Sequence, residues 1–253
     1  MPVMSILQLW GEAYARDVSL YEDVDSRSTA VRDLLATRQA LIVLDNVQNE
    51  AQLAHLLPAH GACAVLITSR RRDLTTLPEI HRFHVNSFTE AEAMALLARV
   101  LGEERIAREQ AMFQEIAMLI GYHPLALDLV ACRLAYEAGW QTADLLRQLH
   151  DEQQRLSLIV HGERGLSTAL ETSYNLLQLP LQHFFAGLGN ISGLDFSVDE
   201  AANVTGVTPV IADNYLRDLF CLSLVRRGQR VNRYRLIPVL QDFARHKKVE
   251  LDV

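Results

Sequence analysis

Lysine is almost absent from this sequence. Of the 24 Lys and Arg residues in the 253-residue chain, only Lys247 and Lys248 are lysines. A phosphate-binding loop of the form G-x-x-x-x-G-K-[ST] needs a lysine to reach the β- and γ-phosphates. It also needs glycines that let backbone N–H groups approach them. Before Leu41 there is no lysine, and Gly11 is the only glycine, so the sequence contains no such loop. Cysteine is scarce as well. Cys63, Cys132 and Cys221 are far apart, with neither metal-ligand spacing nor a disulfide framework. They read as small core residues in a reducing cytoplasm. A net charge of −7 excludes a global basic field for nucleic acid or an anionic membrane. No apolar run approaches the roughly 18–20 residues of a membrane span. The N-terminal MPVMSILQLWGEAYARD lacks the basic and apolar regions of a signal peptide.

With 49% hydrophobic residues, the chain can fill two or three small cores. Its organising stretch runs from Ala40 to Arg70. Leu41 to Leu44 is a continuous apolar run ending on Asp45, and Ala64 to Ile67 is another, ending on Thr68, Ser69 and Arg70. Runs of this kind predict strands buried on both faces. Leu53, Leu56 and Leu57 between them have helical spacing, which predicts a right-handed βαβ crossover in a parallel sheet. Ligands of such sheets sit beyond the carboxyl ends of the strands, where Asp45, Asn46, Thr68, Ser69 and Arg70 fall. A carboxylate there can hold a hydrated Mg²⁺, and a guanidinium can meet a phosphate. The residues alone leave two readings open: a phosphate-plus-metal site, or strand ends that face water.

Helices are predicted at residues 4–15 and 26–37, the second capped by Ser26 or Ser28. HRFHV, residues 81–85, alternates and reads as a third strand. From Ser87 onward the pattern is helical. Ser87-Phe88-Thr89-Glu90 is a capping box, 105–120 one amphipathic helix, and Pro124 the first residue of the helix LALDLVACRLAYEA. Residues 151–166 read as a linker. Helices follow at 167–179, 180–189, 197–203 and 208–222. Strands at 224–227 and 230–236, turned by Gly228-Gln229, and a last helix from Pro238 complete a helix–turn–helix–hairpin order, the winged-helix pattern. The fold class expected is α/β followed by all-α. A partial P-loop-type parallel sheet (1–86) is followed by a helical domain (87–150), the linker (151–166) and a winged-helix domain (167–253).

In this order the landmarks resemble the NB-ARC group of STAND nucleotide-binding switch proteins. LIVLDNV is similar to its Walker B strand, AVLITSR to its sensor strand, and GYHPLAL to the G-x-P motif of its helical domain. The similarity covers roughly Ile6 to Lys248. The resemblance implies ADP or ATP with Mg²⁺ as cofactor of a complete family member, and ATPase activity. Asp45 would hold Mg²⁺ through water, Asn46 would stand where relatives have a second acid, Arg70 would sense phosphate, and Pro124 would touch the base. Asn46 cannot act as a general base. Ile237 stands where the family has a phosphate-contacting histidine, and it offers no donor. With the phosphate loop also lacking, the chain is expected to bind nucleotide weakly or not at all. It is expected to start inside the nucleotide-binding domain, with residues 1–86 the least stable part.

The partners the resemblance implies are the missing part of the nucleotide-binding domain, a C-terminal sensor and other protein subunits, in the cytoplasm and without a membrane. A DNA-binding winged helix and a nucleotide-free interaction scaffold are the alternatives. Nucleic acid is not expected, because the candidate recognition helix from Pro209 sets Arg217 against Asp213 and Asp218. The arginines of the hairpin read as a solvated face or an interdomain contact. The histidines, including His55, His60, His81, His84, His123 and His150, show no metal spacing.

Overall fold

A computed structural model describes residues 2–59, 61–74, 80–228 and 230–251. His60, expected as an ordinary histidine, and Gln229 of the hairpin turn lie outside the described residues. The chain forms two compact units, 1–80 and 81–253.

The first unit is built from α1 (Val3–Ala13), α2 (Val24–Ala36), β1 (Leu41–Leu44), α3 (Glu50–Leu56) and β2 (Ala64–Ile67). Asp23, and not Ser26 or Ser28, caps α2 by accepting from the Ser26 N–H at 2.7 Å. Ser28 instead points inward and donates to the His55 carbonyl at 2.6 Å. Asn49 caps α3. β1 and β2 pair in parallel, with Leu41 opposite Ala64 and Leu44 opposite Ile67, as the crossover predicts. Gly11 is required by close approach: a Cβ there would lie 2.7 Å from Val18 Cγ2.

The strands are not buried on both faces. Ile42 and Leu44 turn into a core with Leu7, Val31, Leu35 and Leu53. Leu41, Val43 and Leu66 are 68%, 55% and 54% exposed. All three helices contribute to the core on one face of the sheet, and among the described residues the other face is left exposed at Leu41, Val43 and Leu66. The expected third strand over 81–85 is also absent. Residues 80–89 have no regular structure, and Phe83 and Val85 are 89% and 88% exposed. Alternation alone does not make a strand; a strand also needs a neighbouring strand in register.

The second unit begins with α4 (Glu90–Leu101), whose capping box joins Thr89 and Glu92. The helix expected over 105–120 is two: α5 (Glu103–Arg108) and α6 (Gln110–Leu119), broken at Glu109. α7 (Pro124–Tyr136) and α8 (Thr142–Leu149) follow. The stretch read as a linker, 151–166, holds α9 (Arg155–Leu158) and a hairpin of β3 (Val160–His161) and β4 (Arg164–Gly165). Then come α10 (Leu166–Tyr174), α11 (Leu179–Leu188), β5 (Asp195–Ser197), α12 (Val198–Thr205), α13 (Pro209–Cys221), β6 (Arg226–Arg227), β7 (Arg233–Arg235) and α14 (Pro238–Leu251). The antiparallel sheet has the order β5–β7–β6, so β5, unforeseen in the sequence, joins the hairpin.

One buried cluster runs through this whole unit, from Ala93 in α4 to Ala244 in α14, with Phe113, Phe185, Phe196, Tyr234 and Phe243 among its largest members. An ion pair ties α9 into it. Arg155 and Asp242 are each 4% exposed, with Arg155 Nη1 donating to Asp242 Oδ2 at 2.7 Å. Arg155 Nε also donates to the Leu149 carbonyl at 2.8 Å. Burial pushes the Asp242 carboxyl up to about 6, against the pull of Arg155 and Arg245. The three cysteines are half-buried. Among the described residues, no helix is long and apolar enough to cross a membrane.

Candidate functional site

The carboxyl ends of β1 and β2 place their following residues on a common rim. The ladder continues past the strands: the Thr68 N–H donates to the Leu44 carbonyl at 3.0 Å, and the Val47 N–H to the Thr68 carbonyl at 3.0 Å. This brings Thr68 against the loop after β1. Its hydroxyl donates to Asp45 Oδ1 at 2.5 Å and accepts from the Asn46 N–H at 2.9 Å. Asn46 sits at φ +56°, a left-handed conformation that asparagine tolerates better than most residues. This turn lets the chain leave the strand and bury Val47 while Asp45 and Asn46 stay exposed. Ser69 Oγ closes the rim by donating to the Val47 carbonyl at 2.7 Å.

Asp45, Asn46, Thr68 and Ser69 are thus brought together by direct hydrogen bonds. Arg70 follows on the same rim and is half-buried. Arg71 is turned aside into a two-point pair with Asp73. The donor set is one exposed carboxylate with a hydroxyl fixed against it. Among the described residues, no group of three or more His, Cys, Asp and Glu could hold a metal. Such a set fits a Mg²⁺ that brings its own waters and phosphate oxygens, and does not fit a self-sufficient metal cage.

Pro124 lies in the second unit, at the first position of α7. The turn before it is tightly determined. Gly121 sits at φ +69°, and a Cβ there would lie 2.8 Å from Pro238 Cδ and 3.0 Å from Ile237 Cβ. The GYHP turn is therefore packed directly on the start of α14. Ile237 is 6% exposed at this contact. His123 caps α7: its Nδ1 accepts from the Ala126 N–H at 3.4 Å. Burial first, and then the charge of Arg226, push the His123 imidazole down to about 4, so it is neutral at pH 7. Sequence reading named Pro124 and Ile237 singly but missed their neighbourhood. The one available signal was a glycine before His-Pro, where a positive φ and a missing side chain suit a close backbone contact.

Comparison with known proteins bears on the first of these regions. Residues 5–107 match the NB-ARC domain, which meets the resemblance read from the sequence. Two curated proteins, both called regulatory protein AfsR, are similar along nearly the whole chain. The one from Streptomyces griseus is 32% identical over 241 residues, which is 95% of this chain and 24% of that protein. The one from Streptomyces coelicolor (strain ATCC BAA-471 / A3(2) / M145) is 30% identical over the same length and shares. The chain spans about a quarter of the length of these relatives.

Proposed function

From an NB-ARC match that contains the whole β1–α3–β2 rim, we propose that this chain is part of a nucleotide-responsive regulatory switch of the STAND type. The observation that carries the reading is Asp45, fixed by the Thr68 hydroxyl at the carboxyl end of a parallel strand, where ligands of such sheets bind. In this reading Asp45 would hold a hydrated Mg²⁺ that accompanies ADP or ATP. Arg70 meets phosphate, and Pro124 lines the base. The metal, when bound, supplies charge neutralisation. Asn46 would provide a turn and an amide rather than a general base, which argues against hydrolysis at this site.

The second reading is a nucleotide-free interaction scaffold. The bare face of Leu41, Val43 and Leu66 supports a partner in either case: further strands of a nucleotide-binding domain would bury it. A sensor domain and other subunits are the remaining proposed partners, in the cytoplasm. The α12–α13–hairpin order supports a winged helix. DNA reading by it is disfavoured, since Arg217 of α13 is paired with Asp213 at 2.6 Å.

Titration calorimetry of the chain with ADP and ATP, with and without Mg²⁺, tests this. Expected is Mg²⁺-dependent binding with Kd on the order of 0.1–1 mM, weak for want of a lysine grip. Asp45→Ala should remove the Mg²⁺ dependence. No binding at millimolar nucleotide would leave the scaffold reading standing. Tight binding indifferent to Asp45→Ala would overturn the placement of the site.

A further inference from the structure

The nucleotide reading leaves a second charged surface unused. Arg226, Arg227, Arg230, Arg233 and Arg235 fall within ten residues, and the structure divides them by role. The register of the β5–β7–β6 sheet sets Phe196, Tyr234 and Arg227 on one face. Asp195, Ser197, Arg233, Arg235 and Arg226 occupy the other. The first face is the core face: Phe196 and Tyr234 are each 1% exposed. Arg227 lies over the rings of Phe220 and Tyr234 at 5.2 and 4.6 Å, so its guanidinium is committed to packing.

Arg233, on the outer face, is committed as well. Its Nε donates to Asp195 Oδ1, its Nη2 donates to the Asp195 carbonyl at 2.7 Å, and it pairs with Glu200 at 3.1 Å. Arg230 and Arg235 have no carboxylate partner among the described residues. Together with Arg233, Leu194 and Asp195 they line an open cleft of about 600 Å³. The cleft holds three guanidinium groups and one carboxylate, and that carboxylate is already engaged by Arg233.

We propose that this cleft binds a compact ligand carrying two adjacent phosphate groups, gripped by Arg230 and Arg235, with Arg233 fixed by Asp195 as its third wall. A guanidinium fork meets phosphate oxygens two at a time, and two such forks suit a diphosphate better than a single phosphate. The volume lies within the roughly 300–1,000 Å³ of small-ligand sites. A nucleic-acid backbone fits less well. The net charge of −7 repels a polyanion at long range, and the basic surface does not continue onto α13, where Arg217 is paired with Asp213. The site shares no residue with the strand-end rim and is independent of it.

The test is titration calorimetry of the 253-residue chain with inorganic pyrophosphate, orthophosphate and a duplex DNA, at low ionic strength. Pyrophosphate should bind more tightly than orthophosphate. Arg230→Gln and Arg235→Gln should each weaken it about tenfold, the loss of one bidentate charge-assisted contact. Arg217→Gln, which lies outside both sites, should leave pyrophosphate binding unchanged. Both glutamine variants alter exposed or half-exposed positions, and their circular dichroism should match wild type. Pyrophosphate affinity unchanged by both substitutions, or abolished by Asp45→Ala, would overturn the proposal. So would duplex DNA binding through these arginines more tightly than pyrophosphate.

Discussion

The buried pair of Arg155 and Asp242 gives the sharpest quantitative test of the second unit. Arg155→Met keeps the length of the side chain and removes the guanidinium. Breaking a buried ion pair from one side costs about 3–5 kcal/mol, because the remaining charge stays in a low-dielectric setting. The Leu149 carbonyl loses its donor too, about 1 kcal/mol more. Arg245 still reaches the other carboxylate oxygen at 3.4 Å, which keeps the pair term at its lower end. The expected loss at pH 7.5 is therefore about 4 kcal/mol. It should shrink on acidification. The folded-state pKa of Asp242 is already raised, from 3.8 to about 6. Stabilisation from its protonation is fully present below 3.8 and is lost as pH rises through the folded value. Without Arg155 the folded value rises further, so at pH 5.5 the variant buries a neutral acid and the expected loss falls to about 2 kcal/mol. Urea unfolding can be followed by the fluorescence of Trp140, which packs against Arg133 in the second unit at 4.1 Å. A Trp10→Phe background silences the first unit. A loss under about 1 kcal/mol would refute the reasoning. So would a double variant, Arg155→Met with Asp242→Leu, whose loss equals the sum of the two single losses, since a coupled pair is expected to recover most of it.

Three further outcomes are expected. His123 has its folded pKa lowered from 6.5 to about 4, so its contribution is present above 6.5 and lost as pH falls through 4, about 3 kcal/mol in all. In His123→Gln the acid limb of the stability–pH curve should be shallower by that amount, and superimposable limbs would contradict the assignment. In the first unit, Leu53→Ala should cost about 2–5 kcal/mol, because Leu53 is fully buried, whereas Leu66→Lys on the bare face should cost under about 0.5 kcal/mol in urea unfolding. Hydrogen exchange should find the amides of Leu41 to Ile67 less protected than those of Phe113 to Leu134, because the first core is far smaller. Equal protection would count against that.

Much of the architecture was legible where local chemistry decides it. Ser197 and Glu200 form the capping box that their spacing predicts, the box read at Ser87 to Glu90 forms two residues later at Thr89 and Glu92, and the two apolar runs pair as parallel strands in one register. The strand-end residues Asp45 and Thr68 were legible as neighbours, because the crossover fixes where strands end. What the sequence hid depends on distant partners. Val43 and Leu66 look buried by composition, yet burial requires an element on their side of the sheet. HRFHV has the alternation of a strand, yet residues 81–85 form no strand. Arg155 looked like a polar linker residue because its partner lies 87 positions later. The same distance problem concealed the seating of Gly121 on Ile237 and Pro238.

That seating and the Arg155–Asp242 pair meet on one helix. The turn that presents Pro124 leans on the first residues of α14, and one turn further along α14 Asp242 grips α9. The turn before α7, α14 and the segment 151–158 are thus joined by direct contacts, so a side chain forced in at Gly121 would press on the same helix that holds Arg155.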